Sequence, residues 1–272
     1  MRAYPALDVL SDTPDLLLAI VDDFEPTAVE ERQSTIRVFF GSAAARDSAR
    51  AALSPRFEVV SVDVPDNDWA RRSQEQLAPV TVGRITLCPN PRVAIPHDAP
   101  PFLSLVIQPS MGFGTGHHAT TRLCLAALQA IDLTNAFVLD VGTGSGVLAM
   151  TAACLGATRA LGVDIDPDAI QSARENLTLN ANVRGVEFER ADLTEGCLPQ
   201  ADVVTANLTG AQLVRTAAIL RRSVGPGGTL IVSGILSDER ESVFAAFGDL
   251  TPTWENTEDG WVGAALRAPQ SR

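Results

Sequence analysis

The sequence predicts an α/β protein: a mainly parallel sheet with helices on both faces, preceded by a small α+β module. Three observations carry this expectation. From Phe137 onward, apolar runs that read as strands alternate with amphipathic stretches, the pattern of a parallel sheet buried on both sides. The first run, Phe137-Val-Leu-Asp-Val-Gly-Thr-Gly-Ser-Gly146, ends in glycines at alternate positions. The second, Leu161-Gly-Val-Asp-Ile-Asp166, follows about twenty residues later and ends in carboxylates.

In chain order, Leu16 to Val21 and Ser34 to Phe40 read as strands. Ala43 to Leu53 reads as an alanine-rich helix and Phe57 to Val64 as another strand. This β-β-α-β piece predicts a small, partly ferredoxin-like domain over residues 1–64. Asp66 to Leu77 reads as a polar linker helix, Val80 to Ile95 as strand, and the proline-rich stretch Pro89 to Pro101 as a connection. Residues 65–100 are therefore expected to link the first domain to a second over 101–272.

In that second domain a helix is expected over Ala119 to Ala130. The glycine motif follows, and then a helix from Pro167 with proline in its first turn. Val186 to Asp192 reads as a third strand followed by a carboxylate, and Asp202 to Asn207 as a fourth ending in an amide. The stretch from Leu220 holds a helix end, the turn Gly225-Pro-Gly-Gly228 and a fifth strand. Glu239 to Phe247 suits a helix. Pro252 to Glu255 and Gly260 to Leu266 suit two antiparallel strands.

A strand that ends in Asp140, turns through Gly142, Gly144 and Gly146 and opens a helix lets a ligand touch backbone. Glycine has no Cβ, so the turn adopts positive φ and its N–H groups can be approached closely. Asp164 then stands where a ribose would present two hydroxyls, a nucleoside crevice at the carboxyl ends of parallel strands. A dinucleotide site would read Gly-x-Gly-x-x-Gly. Here the spacing is Gly-x-Gly-x-Gly, and Asp140 would repel a pyrophosphate while suiting a ligand that carries an ammonium. The pattern resembles the glycine-rich motif of S-adenosylmethionine-dependent methyltransferases of the Rossmann-like class; the plain alternative is a tight glycine turn in an ordinary α/β protein. The resemblance implies that Asp192 accepts a hydrogen bond from the adenine amine. It also implies a seven-stranded methyltransferase sheet, five parallel strands closed by the C-terminal pair.

Phe113-Gly-Thr-Gly-His-His-Ala-Thr-Thr121, just ahead of this core, resembles a block of the bacterial ribosomal protein L11 methyltransferases, the PrmA family. So do Asp66-Asn-Asp-Trp-Ala70 upstream, Asn207-Leu-Thr-Gly210 and Ser233-Gly-Ile-Leu236. The likeness runs from Asp66 to the C-terminus. It implies an enzyme that trimethylates lysine ε-amines and the N-terminal α-amine of a large-subunit ribosomal protein, with S-adenosylmethionine as cofactor. The positions it assigns to the cofactor are Thr115, Gly116, Asp140, Gly142, Gly144, Gly146, Asp164, Asp192 and Asn207, with Asn207 also catalytic. Two departures stand out. Cys88-Pro-Asn-Pro91 lacks the tryptophan that often follows the family's Ile-x-Pro segment, and the N-terminal region, where substrate recognition would reside, matches only by pattern. A related amine methyltransferase acting on another protein or a small molecule therefore stays open.

Composition narrows the partners. A net charge of −12 argues against a free-standing nucleic-acid binder and favours a basic partner such as a ribosomal protein. All 21 cationic side chains are arginine; there is no lysine to self-methylate. Cys88, Cys124, Cys154 and Cys197 are scattered in apolar surroundings, without metal or disulfide spacing. No signal peptide or membrane-length apolar run is evident. The expectation is a cytoplasmic, monomeric enzyme with no metal, no membrane and no direct nucleic-acid contact.

Methyl transfer from a sulfonium to an amine is an in-line displacement, so alignment is the protein's main task. Asn207 is the candidate for orienting the amine through its amide oxygen; its competing assignment is the cap of the following helix. His117 and His118 lack ligand spacing for a metal and are expected to shape the loop over the cofactor. Thr115 could reach the cofactor's amino-acid end, and Trp69 reads as a core anchor of the linker helix. A nucleoside-binding protein without turnover and a dehydrogenase are the other classes; Asn207 with the Phe113–Gly116 loop disfavours the first, and the glycine spacing the second.

Overall fold

The computed structural model describes residues 3–11, 17, 20–21, 24, 26–31, 35–65, 78–90, 103–108, 116–193 and 198–270. The expected linker helix over Asp66 to Leu77, with Trp69, lies outside them, as do Thr115 and Cys197. The chain divides into two compact units, Met1–Gln76 and Leu77–Arg272.

The first unit holds β1 (Ala3–Leu10), β2 (Pro26–Glu31), β3 (Thr35–Phe40), α1 (Ala43–Leu53) and β4 (Glu58–Pro65). Its sheet runs β2-β3-β1-β4 with every pairing antiparallel. One face buries Leu7, Val9, Ile36, Val38 and Phe40 against Ala49 and Leu53 of α1 and against Leu17 and Val21. On β1 and β3 the directly opposed Asp8 and Arg37 form a two-point ion pair, Nε to Oδ1 at 2.5 Å, which satisfies a charge that would otherwise interrupt the strand.

Leu17, Ile20 and Val21 are helical, which corrects the strand expected over Leu16 to Val21. A six-residue apolar run is ambiguous between buried strand and buried helix. Here Leu17 and Val21, four apart, share one helical face toward the sheet, and the strand place is taken by Ala3–Leu10. With helical residues between β1 and β2, the order becomes strand, helix, strand, strand, helix, strand, a ferredoxin-like arrangement.

The second unit opens with β5 (Val80–Val82), β6 (Ile85–Cys88) and β7 (Leu103–Val106). Instead of one continuous strand from Val80, the chain reverses at Gly83, whose φ is 55°. β5 and β6 pair antiparallel and β7 joins β6 in parallel. Then come α2 (Ala119–Gln129), β8 (Phe137–Val141), α3 (Val147–Cys154), β9 (Arg159–Asp164), α4 (Pro167–Leu179), β10 (Val186–Arg190), β11 (Ala201–Asn207), α5 (Gly210–Ser223), β12 (Val224–Leu236), α6 (Arg240–Ala246), β13 (Thr251–Glu258) and β14 (Trp261–Arg267).

These strands form a seven-stranded sheet, β10-β9-β8-β11-β12-β14-β13. The first five are parallel, and β14 runs antiparallel between β12 and β13. Alternate side chains sort the two faces. Val138, Ala160, Val203 and Ile231 pack in one layer with α3 and α4, whereas Leu139, Leu161, Val204 and Leu230 pack in the other with α5 and α6. The stretch Gly225–Gly228 is an irregularity early in β12 rather than a separate turn: Ala201 pairs with Val224, and Val203 already with Thr229.

The strand order reverses at β8, so the carboxyl ends of β8, β9 and β11 open the crevice that a doubly wound sheet leaves there. Gly146, the N-cap of α3, has φ of 80°. A Cβ there would lie 2.6 Å from Phe188 Cζ and 3.1 Å from Ala173 Cβ, so glycine is what lets α3 leave β8 against β10 and α4. Gly146→Ala is expected to destabilise the unit by about 2 kcal/mol, a fall of ~4–8 °C in the melting midpoint. Thermal unfolding followed by circular dichroism checks this; an unchanged midpoint contradicts it.

Candidate active site at the carboxyl ends of the strands

Beneath the crevice lies a buried carboxylate. Asp140 closes β8, is 1% exposed and accepts hydrogen bonds from Thr143 Oγ1 and Thr205 Oγ1, both at 2.6 Å. The Ala149 N–H in the first turn of α3 donates to it as well. Burial pushes its pKa up, the three hydrogen bonds oppose that rise, and Asp164 adds to it. Asp140 thus ties β8, β11, the glycine turn and the start of α3 together, below the floor of the cavity.

The turn above it is fixed by backbone. Gly142 and Thr143 N–H donate to the Val163 carbonyl at 2.9 and 3.0 Å. Gly144 N–H donates to Asp164 Oδ2 at 3.0 Å, and Asp166 N–H to Asp164 Oδ1 at 3.1 Å. Both Asp164 oxygens are therefore held in place while keeping lone pairs for hydroxyl donors. A second hub is Asn176 of α4, 1% exposed. It donates to the Ser145 carbonyl at 3.0 Å and accepts from Gln108 N–H at 2.9 Å, tying the glycine turn to the chain that leaves β7.

Above these supports is a cavity of about 650 Å³, a size usual for a small-molecule site. Of the expected residues, Gly142, Gly144, Asp164, Asp192 and Asn207 line it. Asp140, Gly146 and Gly116 do not: Asp140 and Gly146 act from below, and Gly116, with φ of 84°, packs against Leu87. Thr115 lies outside the described residues. Gly142 needs its φ of 69°, and a Cβ there would meet Leu208 Cδ2 at 2.7 Å.

The cavity has two halves. On one side Asp164, Asp166 and Asp192 stand among the apolar Ile165, Ala169 and Leu193. The other side has Asn207 and Leu208 at the end of β11, His118 and Thr120 at the start of α2, Gly234 of β12 and Trp261 of β14. Among the described residues three carboxylates and one guanidinium, that of Arg215, line the cavity, a balance that attracts cations and repels phosphates.

The first half fits a nucleoside with a cationic tail. Asp164 can take the sugar hydroxyls, the apolar strips can sandwich a base beside Asp192, and the bare Gly142 and Gly144 admit the chain of the ligand. The Asn207 amide makes no hydrogen bond to any described residue. The cap of α5 is Thr209, whose hydroxyl accepts from Gln212 N–H while the Gln212 side chain returns to the Thr209 N–H. The competing assignment of Asn207 as helix cap is thereby removed.

His118 caps α2: its Nδ1 accepts from Thr120 N–H and lies 2.8 Å from Thr120 Oγ1. The neutral ring therefore carries its proton on Nε2. The ring meets Trp261 edge to face, centroids 5.1 Å apart at 65°. Among the described residues no group of three or more His, Cys, Asp or Glu could hold a metal, and no helix is long and apolar enough to cross a membrane.

Sequence reading did not find Trp261, Gln212 or Arg215, and met Gly234 only within the Ser233–Leu236 likeness. No local motif marks the first three; all four line the cavity because the last part of β12 and the starts of β14 and α5 border it. Asn176 was likewise read only as part of the helix that begins at Pro167.

Burial first, and then Arg122, hold the His118 pKa below its ordinary value of about 6.5. Between the two values the unfolded chain binds more protons than the folded one. The stability that neutral His118 contributes is therefore complete above about pH 6.5 and is lost as pH falls through the lowered folded value. His118→Asn is expected to lower the melting midpoint more at pH 7.5 than at pH 5. Equal losses at both pH values contradict this.

Comparison with known proteins agrees with this geometry. The sequence profile of the family described as ribosomal protein L11 methyltransferase (PrmA) matches residues 18–268. The ribosomal protein L11 methyltransferase of Deinococcus radiodurans is 39% identical over 234 residues, covering 84% of this chain and 82% of that protein. That of Pseudomonas aeruginosa strain PAO1 is 40% identical over 210 residues, covering 74% and 67%. In fold, the chain is similar to the crystal structure of a ribosomal protein L11 methylase from Lactobacillus delbrueckii subsp. bulgaricus. The TM-score is 0.64 at 23% identity, over 71% of this chain and 99% of that one. By the extent of these matches, the chain belongs to the ribosomal protein L11 methyltransferase (PrmA) family.

Proposed function

We propose that this chain transfers methyl groups from S-adenosylmethionine to amines of ribosomal protein L11, both lysine ε-amines and the N-terminal α-amine. The observation that carries the reading is an unconsumed amide, Asn207, across one cavity from a sugar-type carboxylate, Asp164. Family membership supplies the reaction class.

S-adenosylmethionine, when bound, supplies a methyl group already activated on a sulfonium. The chain's own residues do the rest. Asp164 holds the ribose hydroxyls, Asp192 receives the adenine amine, and Ile165 and Leu193 cover the faces of the base. Asp140 keeps the glycine turn in the shape that admits the ligand. The acidic cavity draws in the acceptor as an ammonium, and enclosure between Leu208 and Trp261 lowers its pKa from about 10.4 toward the neutral form. Asn207 Oδ1 then accepts one N–H and turns the nitrogen lone pair toward the methyl carbon. A side chain that only orients the acceptor leaves no demand for a strong general base.

Recognition of the protein substrate is assigned to the N-terminal unit, because the complete sheet and cavity belong to residues 77–272. The test is to incubate the full chain with methyl-labelled S-adenosylmethionine and purified L11, and to map label by mass spectrometry. Label on L11 amines supports the reading; no label on L11, with transfer to another component of a ribosomal extract, overturns the substrate.

Two variants test the roles. Asp164→Ala is expected to weaken S-adenosylhomocysteine binding about ten- to hundredfold, the loss of hydrogen bonds to a charged acceptor; unchanged affinity by calorimetry discards the assignment. Asn207→Ala is expected to lower kcat about a hundredfold while S-adenosylhomocysteine affinity shifts less than about threefold. Parallel losses in both would instead put Asn207 on the cofactor.

A further inference from the structure

We propose that Trp261, braced by His118, is the residue that lets this site receive an amine already carrying one or two methyl groups. The proposal rests on the amine-methyltransferase reading above and deepens it: it names what sets the number of methyls that one nitrogen acquires.

Among the described residues of the acceptor half, Asn207 carries an amide that makes no hydrogen bond within the fold, the Thr120 hydroxyl is engaged with the His118 ring, and Trp261 is the largest aromatic wall. Asn207 can orient an amine only through an N–H. A neutral primary amine has two N–H bonds, a monomethylamine one, and a dimethylamine none. The grip of Asn207 therefore weakens with the first methylation and is gone after the second. What a dimethylated nitrogen presents instead is two methyl groups, and the product of the third transfer is a permanent cation. An aromatic face stabilises both, by apolar contact and by cation–π attraction. Among the described residues that line the cavity Trp261 is the largest aromatic side chain, and Leu208, Gly234 and the His118 ring line it as well.

The wall is held in place. Trp261 opens β14, paired with Leu236 of β12 on one side and Glu258 of β13 on the other. His118 packs against its ring at 5.1 Å. Arg122, one turn along α2, reaches Glu258 Oε1 at 2.8 Å and Asp259 Oδ2 at 3.4 Å across the β13–β14 turn, and also donates to the His117 carbonyl. The start of α2 and the hairpin that carries Trp261 are thus clamped to each other, which preorganises the ring.

Each transfer breaks one sulfur–carbon bond of the donor, whose electron pair stays on sulfur. It forms one nitrogen–carbon bond from the amine lone pair. The resulting ammonium gives its proton to water before the next round, and a fresh sulfonium donor replaces the spent thioether. Asn207 serves the first round, in which the amine has two N–H bonds, and the second, in which it has one; Trp261 carries the later rounds, the third alone.

The experiment uses the full chain with S-adenosylmethionine and purified L11, counting methyls per modified nitrogen by mass spectrometry over time. In Trp261→Ala, mono- and dimethylated nitrogens are expected to accumulate, the third transfer slowing about tenfold more than the first. Trp261→Phe is expected to restore most of the trimethylated product. The same ratio of first to third transfer in Trp261→Ala as in wild type overturns the proposal. So does an equal loss of all three transfers in both variants, or a wild-type enzyme that stops at one methyl. A wild type that puts no methyl on L11 is a different failure, seen before any variant is made, and overturns the parent reading.

Discussion

The site depends on one buried carboxylate. Asp140 is 1% exposed, and it is kept in the fold by two hydroxyls and one helix N–H. Each of these donors sits on a different element, so the charge can be satisfied only when β8, β11, the glycine turn and α3 are all in register. A buried charge without partners costs several kcal/mol. That cost works in favour of specificity here, because any arrangement that displaces Thr143, Thr205 or the start of α3 exposes the protein to it. The shape of the turn is thus enforced from below by electrostatics, while glycine only permits it. Asp164 repeats the device one strand away, with backbone N–H groups as donors and with its remaining lone pairs directed at the cavity.

Charge and topology divide the crevice into two halves, the one proposed for the methyl donor and the one proposed for the acceptor. The donor half is built from consecutive βα units, β8 to α4 and β10 with the loop after it, and carries the carboxylates. The acceptor half is assembled from segments far apart in sequence: the start of α2, the end of β11, Gly234 and Trp261. Acidity on the donor side favours a cationic ligand and also a cationic acceptor, and the protein's overall charge of −12 carries the same preference to longer range.

This division explains how much could be read from sequence. The donor half was legible because its chemistry is local: Gly142, Gly144, Asp164 and Asp192 each follow directly from a strand that advertises itself by an apolar run. The five parallel strands and the closing C-terminal pair were legible for the same reason, whereas their spatial order was not. Asp140 was legible as a residue but not in its place, since nothing in Val-Leu-Asp-Val states that the carboxylate faces Thr205, sixty-five positions away. The acceptor half was legible at Asn207, at His118 and in the stretches that resemble the family, but not at its aromatic wall. Trp261 and Arg215 carry no motif and acquire meaning through pairings of β12 with β14 and of α5 with β11. In the first unit, Leu16 to Val21 misled because six apolar residues satisfy strand and helix equally, and the deciding fact, a sheet already filled by Ala3–Leu10, is non-local.

The place of β14 sets a condition on synthesis. The last strand of the sheet to leave the ribosome is not an edge strand; it is inserted between β12 and β13. Until it arrives, β12 has an open edge and the hairpin partner β13 has nothing to pair with. The ring of Trp261 reaches the acceptor wall only on that insertion. A nascent chain lacking these final residues would hold the donor half nearly complete and the acceptor half unbuilt. The aromatic wall of the cavity is therefore completed only when translation of this strand is finished, a consequence of the strand order.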